Sequence, residues 1–382
     1  MQSRNKIKEK VKWLKWFLLL FPIYSIVYFK KSISGSNRRI IIFPSNMIGD
    51  FIMQTPIFRE IKEALPKCHL SVFLTTNKFA DLIKNNKYID EIIKWNINDD
   101  LLLKLKKLVD IIFRNYSFAI LYRPESWVDL LSLFFFVPYR FSILSKSSDG
   151  ISQAIRKIIS NNIIYYRKGE YAPDVYLKPL KFFEDLKYNN KLELQISNSS
   201  KTFIENLFKE HNINSNKNNI GIAPASSKSI KMWEPQKFAQ LINLLDNEFG
   251  NIFIIGGQND RELINNILNG VTGDYVNLCG QLTLIQLAAL CKKLDLFIGL
   301  DSGPTYIAQA VDCNTLTIIG PTDYKEVIIP SQTNKIIRST VECHPCSYVT
   351  EARTKCKRGA KKCLHLISIE DVYSQTQSIL SQ

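Results

Sequence analysis

Short apolar strands recur along this sequence, each followed by a turn and then by residues with helical spacing. The first unit has a β-branched run at residues 40–43, a turn, and a helix predicted over residues 50–64. The same pattern restarts at residues 220–223. Alternating strands and helices predict parallel sheets covered on both faces. The chain is therefore predicted to be an α/β protein with two Rossmann-like halves, and ligands are expected where turns follow the strands.

The remaining elements can be predicted from the same pattern. Further strands are expected at residues 70–74, 92–93, 118–121 and 163–165, and at 252–255, 296–299 and 315–319. Second-half helices are expected at residues 235–245, 261–268, 283–291 and 305–310. The Asn- and Ser-rich stretch 187–201 is the best boundary between the halves. The predicted units are residues 1–37, 38–195, 196–363 and a C-terminal helix within 364–382.

The net charge of +15 is concentrated in two short stretches. Residues 1–40 hold ten Lys/Arg and one Glu, and residues 338–363 hold seven Lys/Arg and two acids. The rest of the chain is close to neutral. Nucleic-acid binding is therefore not expected, because it needs basic groups spread along a phosphate path. The two basic stretches are expected to face a membrane or an anion instead.

The N-terminal segment 1–37 is predicted to associate with a membrane. Its apolar run, residues 16–29, contains Pro22 and is flanked by lysines. A straight transmembrane helix needs about 20 apolar residues, so a monotopic helix in the membrane interface is the preferred interpretation. A true span, a signal peptide and an ordinary helix with a basic face are the alternatives.

The eight cysteines fall into two groups. Four lie in apolar or small-residue runs and are expected to be reduced core residues of a cytoplasmic protein: Cys68, Cys279, Cys291 and Cys313. The others crowd one stretch: Cys343, Cys346, Cys356 and Cys363. The first interval of this cluster suits a zinc knuckle and the later ones suit it less well. A structural zinc, reduced packing cysteines and disulfides are therefore all open.

Two predicted turns carry residues suited to acid–base and phosphate chemistry. Asp50 follows Gly49 at a helix start, where it is either an N-cap or a general base facing the cleft. In the second half, Ser226 and Ser227 precede Lys231, and such hydroxyl and ammonium groups can hold phosphate oxygens. The glycine spacing of a P-loop is missing.

Two later turns extend this pattern. Asp260 and Glu262 follow a Gly-Gly turn, where they either complement a helix dipole or bind a ribose. The next turn supplies backbone amides and hydroxyls at a helix start, which predicts a pyrophosphate cradle formed by Asp301, Ser302, Gly303 and Thr305. Converging at one sheet edge, these turns predict a nucleotide-diphosphate site.

Together, these stretches resemble the ADP-heptose:lipopolysaccharide heptosyltransferase family, glycosyltransferase family 9. The resemblance covers the chain from Arg39 onward and rests on an ordered set of motifs: Gly49-Asp50 with Thr55-Pro56, Lys231-x-Trp233, Gly256-Gly257 with Asp260-Arg261-Glu262, Gly280 with Leu287-Ala288-Ala289-Leu290, Asp301-Ser302-Gly303-Pro304, and Gly320-Pro321-Thr322-Asp323. It implies the GT-B fold, with two facing Rossmann-like domains. The first would bind the acceptor and the second the nucleotide sugar.

The resemblance also implies an activity and a place of action. The enzyme would be an inverting glycosyltransferase that moves heptose from ADP-heptose to a lipid A-linked or other lipid-linked saccharide in lipopolysaccharide core synthesis. It would be peripheral or monotopic on the cytoplasmic face of the inner membrane, and would need neither a cofactor nor a catalytic metal beside its nucleotide-sugar donor.

The resemblance assigns roles to the site residues. Asp50 would be the catalytic base, and Lys231 would stabilise the departing diphosphate. Asp260 or Glu262 would reach the ribose. The donor phosphates and sugar would be held by Ser226, Ser227, Lys231, Asp301, Ser302, Gly303 and Thr305.

One position departs from the family pattern. Many members have His two residues after the Pro of the Asp-Ser-Gly-Pro turn, and this chain has Tyr306. Tyrosine is not cationic at neutral pH, so either the donor sugar is contacted differently or the substrate has changed. The alternatives are another nucleotide sugar used for a different surface polysaccharide, and a nucleotide-sugar-binding protein without turnover.

Overall fold

The computed structural model describes residues 38–96, 98–122, 137–145, 156–183 and 188–381, and these form two parallel sheets. The first sheet contains β1 (Arg39–Phe43), β2 (His69–Leu74), β3 (Glu91–Lys94), β4 (Phe118–Leu121), β5 (Tyr139–Ser145) and β6 (Asn162–Tyr166), in the order β3-β2-β1-β4-β5-β6. The second contains β7 (Asn218–Ala223), β8 (Gly250–Ile254), β9 (Val276–Asn277), β10 (Leu296–Leu300), β11 (Thr315–Ile318) and β12 (Asn334–Ile337), in the order β12-β11-β10-β7-β8-β9.

Both sheets have the strand order of a dinucleotide-binding α/β domain. The strand order reverses between β1 and β4 in the first sheet and between β7 and β10 in the second. Ligands of open α/β sheets bind at such switch points, outside the carboxyl ends of the strands. The predicted GT-B architecture of two α/β domains is thus confirmed. The predicted domain boundaries stay predictions.

Helices connect and flank the strands. Those in the described residues are α1 (Ile48–Met53), α2 (Pro56–Ala64), α3 (Ala80–Ile83), α4 (Leu101–Phe113), α5 (Ala172–Leu177), α6 (Asn198–Glu210), α7 (Pro235–Glu248), α8 (Arg261–Leu268), α9 (Leu284–Cys291), α10 (Gly303–Ala310), α11 (Lys362–His365) and α12 (Ile369–Leu380). The helix predicted over residues 50–64 is two helices, because Pro56 lacks an N–H group and begins a new helix. The Thr55 hydroxyl donates to Ile52 O at 2.7 Å between them.

Three strands were not predicted from the sequence. Strand β5 begins with Tyr139 and Arg140, which resemble a basic loop, although its later residues are buried. The Arg140 guanidinium donates to the carbonyl groups of Val137 and Ile159, so the cation satisfies backbone acceptors. Strands β9 and β12 are short edge strands with half-buried residues, and they leave little periodicity to detect.

The two domains contact each other through the N-terminal ends of α1 and α10. A Cβ atom on Gly303 would lie 2.6 Å from Cγ2 of Ile48, and one on Gly49 would lie 3.1 Å from the Tyr306 ring. The two glycines therefore allow an approach that larger residues would block. Buried apolar side chains of both helices belong to one shared core.

The connection between the domains packs against both of them. Arg59 on α2 binds the Glu193 carboxylate at 2.8 Å, and Leu194 N donates to Ala310 O at 3.2 Å. Helix α6 follows, capped by the Ser197 hydroxyl, which accepts from Ser200 N. The polar stretch predicted as a boundary thus includes a helix start.

Glu326 forms a second contact between the domains. Its carboxylate is fully buried and accepts from Gly169 N at 2.8 Å, after β6, and from Val349 N at 2.6 Å. Nearby, Lys168 Nζ lies 2.7 Å from the Glu351 carboxylate. Burial raises the pKa of Glu326 although the two amide hydrogen bonds act in the opposite direction.

This raised pKa predicts a pH-dependent stability difference between the wild type and Glu326→Gln. Because the native state favours the protonated form, the stabilisation from Glu326 is greatest below its ordinary pKa of 4.5 and is lost as pH rises through the raised value. In the Glu326→Gln variant, one of the two backbone amides loses its oxygen acceptor at every pH, and the glutamine side chain does not titrate. Urea denaturation should show the wild type losing stability relative to the variant as pH rises above 4.5. If the stability difference between the wild type and the variant did not change with pH, the raised pKa of Glu326 would be contradicted.

The predicted membrane-associating segment 1–37 lies outside the described residues. Across the part of the chain that is described, no helix combines the length and the apolar character needed to cross a membrane.

Candidate active site

The predicted site residues lie in turns and helix starts at the carboxyl ends of β1, β7, β8 and β10. Strands β1, β7 and β10 border the switch points of the two sheets, and helices α1 and α10 start there against each other. A cavity of about 450 Å³ lined by residues of α6 and α9 contains none of the predicted site residues. The candidate site is therefore the place where these turns meet, at the carboxyl ends of the strands.

Asp50 lies in the first turn of α1 and is half-buried. The N-cap position is Met47, so the interpretation of Asp50 as the N-cap is wrong. The Ser45 hydroxyl instead donates to the Asp50 carboxylate at 3.2 Å, while Met47 N donates to Ser45 Oγ at 3.2 Å. Ser45 N also donates to the Gln54 side chain at 3.0 Å. The turn therefore fixes the direction of the Asp50 carboxylate.

Lys231 and Asp301 form a largely buried ion pair. Lys231 Nζ lies 2.5 Å from Asp301 Oδ2, and the Tyr306 hydroxyl donates to the other oxygen of the same carboxylate. Burial acts to raise the pKa of Asp301, but the Lys231 ammonium first and then the Tyr306 hydroxyl outweigh it, so that this pKa lies below its usual value. Asp301 is therefore an anion that both side chains orient.

Tyr306 is the point where the two domains meet at the site. Its side chain is buried on α10, against Gly49 of the first domain. Burial first, and then the negative charges of Asp301 and Asp50, raise the pKa of Tyr306 well above its ordinary value. Tyr306 is thus a neutral hydrogen-bond donor to Asp301.

We expect Tyr306→Phe to lower the free energy of unfolding by about 1–3 kcal/mol, because a buried carboxylate loses one of its donors. The matched control is Tyr275→Phe, on a partly exposed tyrosine before β9, which should change stability by less than about 0.5 kcal/mol. Urea denaturation measures both. Equal effects of the two substitutions would show that the Tyr306 hydroxyl does not stabilise Asp301.

The residues predicted to hold the donor phosphates lie in two of these turns. Ser226 is half-buried and Ser227 exposed, after β7 and before the single helical turn that ends at Lys231. Ser302 and Gly303 begin α10. Ser302 Oγ is buried and has no hydrogen-bond partner among the described residues. Such a hydroxyl, beside the free amides of a helix start, is suited to an anion.

Two of the predicted residues have other contacts, and a third is exposed. Thr305 is fully buried and its hydroxyl donates to Leu300 O at 2.6 Å, so it stabilises the turn and does not face the cleft. Asp260 Oδ2 accepts from Gly257 N at 2.8 Å and closes the Gly-Gly turn. Glu262 is exposed in the first turn of α8. Ribose binding by either acid stays a prediction.

The four C-terminal cysteines line one cavity of about 50 Å³. All eight cysteines are free thiols. Across the described residues, no group of three or more His, Cys, Asp or Glu side chains is arranged to hold a metal ion. Structural zinc, reduced packing cysteines and disulfides all stay predictions for this cluster. Burial first, and then the neighbouring cysteines, raise the pKa of the Cys363 thiol to about 11.

Two residues of the site were not predicted from the sequence. Ser45 orients Asp50. Thr322, in the turn after β11, lies near Asp301, and its hydroxyl is buried without a hydrogen-bond partner among the described residues. The sequence contains the Gly-Pro-Thr-Asp motif, but only the fold brings this turn to Asp301. A hydroxyl five residues before an aspartate is too common a feature to indicate a contact.

Comparison with known proteins agrees with this architecture. The model of glycosyltransferase family 9 (heptosyltransferase) matches residues 174–357. The lipopolysaccharide heptosyltransferase 1 of Campylobacter coli is 24% identical over 317 residues, which cover 78% of this chain and 89% of that protein.

Two solved structures share the fold over most of the chain. A family 9 glycosyltransferase from Veillonella parvula superposes with a TM-score of 0.73 at 18% identity, over 90% of this chain and 97% of that one. The E. coli ADP-heptose lps heptosyltransferase II superposes with a TM-score of 0.72 at 18% identity, over 90% and 99% of the two chains.

Two Rossmann-type sheets with this site and these relatives define a glycosyltransferase of the GT-B fold. Residues 174–357 match glycosyltransferase family 9, the heptosyltransferase family, and similarity to a heptosyltransferase extends over 78% of this chain.

Proposed function

We propose that this enzyme transfers heptose from ADP-heptose to a lipid-linked saccharide during synthesis of the lipopolysaccharide core. The observation that carries the proposal is the placement of Asp50, oriented by Ser45, where α1 meets α10, with the Lys231–Asp301 pair at the start of α10. The relatives' names, lipopolysaccharide heptosyltransferase and ADP-heptose lps heptosyltransferase, support the choice of donor and product.

In this mechanism Asp50 is the general base. It takes the proton from the acceptor hydroxyl as that oxygen forms a bond to the anomeric carbon of the donor. The bond from this carbon to the diphosphate breaks on the opposite face, its electron pair leaves with ADP, and the configuration inverts. A positioned carboxylate typically contributes a factor of about 10²–10⁴ to such a step.

The second domain stabilises the departing diphosphate. Lys231 supplies positive charge, and Ser302 with the amides at the start of α10 supplies hydrogen-bond donors. Asp301 holds Lys231 in place before the donor binds. Ser226 and Ser227 complete the phosphate contacts, and the reaction needs no cofactor besides the donor.

The first domain binds the acceptor, which is embedded in the membrane by its lipid. The enzyme acts at the cytoplasmic face of the inner membrane as a peripheral or monotopic protein, and residues 1–37 contribute to its attachment. This assignment rests on the basic and apolar sequence of that segment.

Tyr306 favours a second candidate, a different sugar on the donor. In place of a histidine that could be cationic, the chain has a neutral phenol hydrogen-bonded to Asp301. The site therefore has one cation fewer near the sugar. A family member that transfers another sugar to a surface polysaccharide is the alternative, and donor binding separates the two candidates.

Isothermal titration calorimetry with a panel of nucleotide sugars tests the donor. We expect ADP-heptose to bind at least about tenfold more tightly than ADP-glucose and UDP-glucose, each added to the full chain. Preferential binding of another ADP-sugar would favour the second candidate. If no ADP-sugar binds, the heptosyl proposal is wrong.

A further inference from the structure

A cationic surface lies next to the site and has no part in the proposed reaction. This C-terminal basic surface is formed by residues 353–366 and carries six cations and no acid within residues 353–362: Arg353, Lys355, Lys357, Arg358, Lys361 and Lys362. Four of the six are exposed: Lys355, Lys357, Arg358 and Lys362. Of the net charge of +15, residues 1–40 account for +9 and residues 338–363 for +5, which leaves +1 for the remainder.

Nearby acids compensate this surface only weakly. Arg358 lies 3.7 Å from the Glu342 carboxylate, and both side chains are largely exposed, so this ion pair contributes little. Glu351 is paired with Lys168 of the first domain at 2.7 Å. The surface therefore presents positive charge to the solvent.

An exposed apolar side chain accompanies these cations. Leu366 is 56% exposed at the end of α11 and follows Lys362 by four residues, so the two share one face of that helix. An exposed leucine among lysines is the composition of surfaces that bind at the headgroup boundary of a bilayer, where apolar groups insert and cations meet anionic lipids.

The basic surface is attached to a turn of the donor site. Lys361 Nζ donates to Ser229 O at 3.4 Å. Ser229 begins the helical turn that ends at Lys231. Any surface bound by this segment is thereby held next to the donor site.

We propose that the C-terminal basic surface docks the enzyme on an anionic lipid bilayer, with Leu366 at the headgroup boundary. This docking is separate from any contribution of residues 1–37, and it rests on the proposed function only where it supposes a lipid-linked acceptor. It would hold the second domain at the membrane while that acceptor enters the cleft.

Fluorescence quenching by brominated phospholipids tests the contact directly. The full chain carries Leu366→Trp, or as a control Tyr275→Trp before β9, at the opposite edge of the second sheet from β12. Each is bound to phosphatidylglycerol-containing vesicles. We expect quenching beyond that of the unmodified chain for Leu366→Trp and none for Tyr275→Trp. If the Leu366→Trp protein binds the vesicles and its fluorescence is quenched no more than that of the unmodified chain, the proposal is wrong.

Vesicle co-sedimentation tests the electrostatic part. One variant replaces Lys355, Lys357, Arg358 and Lys362 by Gln. Its matched control replaces four exposed lysines elsewhere: Lys201, Lys209, Lys217 and Lys293. At half-saturating lipid we expect about tenfold weaker partitioning for the first variant and less than about twofold for the control, because each cation at an anionic surface adds to binding. Equal partitioning of the two variants would contradict the proposal.

A third measurement separates the bilayer from substrate phosphate. Inorganic pyrophosphate is titrated into vesicle-free protein. We expect the same binding heat from the wild type and from the fourfold variant at Lys355, Lys357, Arg358 and Lys362. A saturable heat that this variant loses would assign the surface to substrate phosphates and overturn the membrane proposal. None of the three experiments contains a nucleotide sugar, so their failure is distinct from failure of the proposed transferase activity.

Discussion

Asp50→Asn should lower the rate constant of sugar transfer by about 10²–10⁴-fold, because the amide cannot accept the proton of the acceptor hydroxyl. Asparagine is nearly isosteric and can still accept from the Ser45 hydroxyl, so the turn is expected to remain folded. Donor affinity should change less than about twofold. The measurement is single-turnover transfer with saturating donor and acceptor.

The control for this variant is Asp81→Asn, on an exposed carboxylate of α3. It makes the same change of charge and should leave transfer unchanged. Ser45→Ala gives an intermediate case, since it removes the hydroxyl that donates to the Asp50 carboxylate at 3.2 Å. We expect it to lower the rate by about tenfold, through loss of orientation. Near-normal transfer by folded Asp50→Asn would exclude Asp50 as the base.

Lys231→Met should reduce both stability and catalysis. The variant leaves the buried Asp301 carboxylate hydrogen-bonded to the Tyr306 hydroxyl without its cation, and removing one member of a buried ion pair typically costs about 3–5 kcal/mol. Loss of the cation beside the departing diphosphate should also lower transfer by about 10²–10³-fold. Urea denaturation and transfer kinetics measure the two effects separately.

The double variant Lys231→Met/Asp301→Asn distinguishes these two effects. Neutralising Asp301 removes the unpaired buried charge, so stability should recover most of the loss. Transfer should stay low, because the cation is still absent. If the double variant regained activity together with stability, Lys231 would act only as a structural partner of Asp301.

The local pattern of residues predicted most of the framework. Strands with continuous apolar runs, such as β1 and β10, were found within two residues of their expected positions, because a buried parallel strand needs such a run. Strand β12 could not be predicted in this way, because its four residues are only half-buried at a sheet edge. Helices α1 and α2 were predicted as one helix, because the helical periodicity continues across Pro56.

The contacts that make the site could not be predicted from local pattern. Lys231 and Asp301 are 70 residues apart and Glu326 and Gly169 are 157 apart, so only the packed fold brings them together. Thr305 shows the opposite case. Its place in a hydroxyl-rich turn indicated a donor contact, but the buried hydroxyl is used by a backbone carbonyl of its own turn. A sequence motif places a residue near a site and does not say which way its side chain points.

The most direct test of the account is mass spectrometry of a lipid-linked saccharide acceptor after incubation with ADP-heptose and the purified full chain. We expect the acceptor to gain one heptosyl residue and ADP to appear in equal amount, with both products formed about 10²–10⁴-fold more slowly by Asp50→Asn. An unchanged acceptor in the presence of bound ADP-heptose would contradict it.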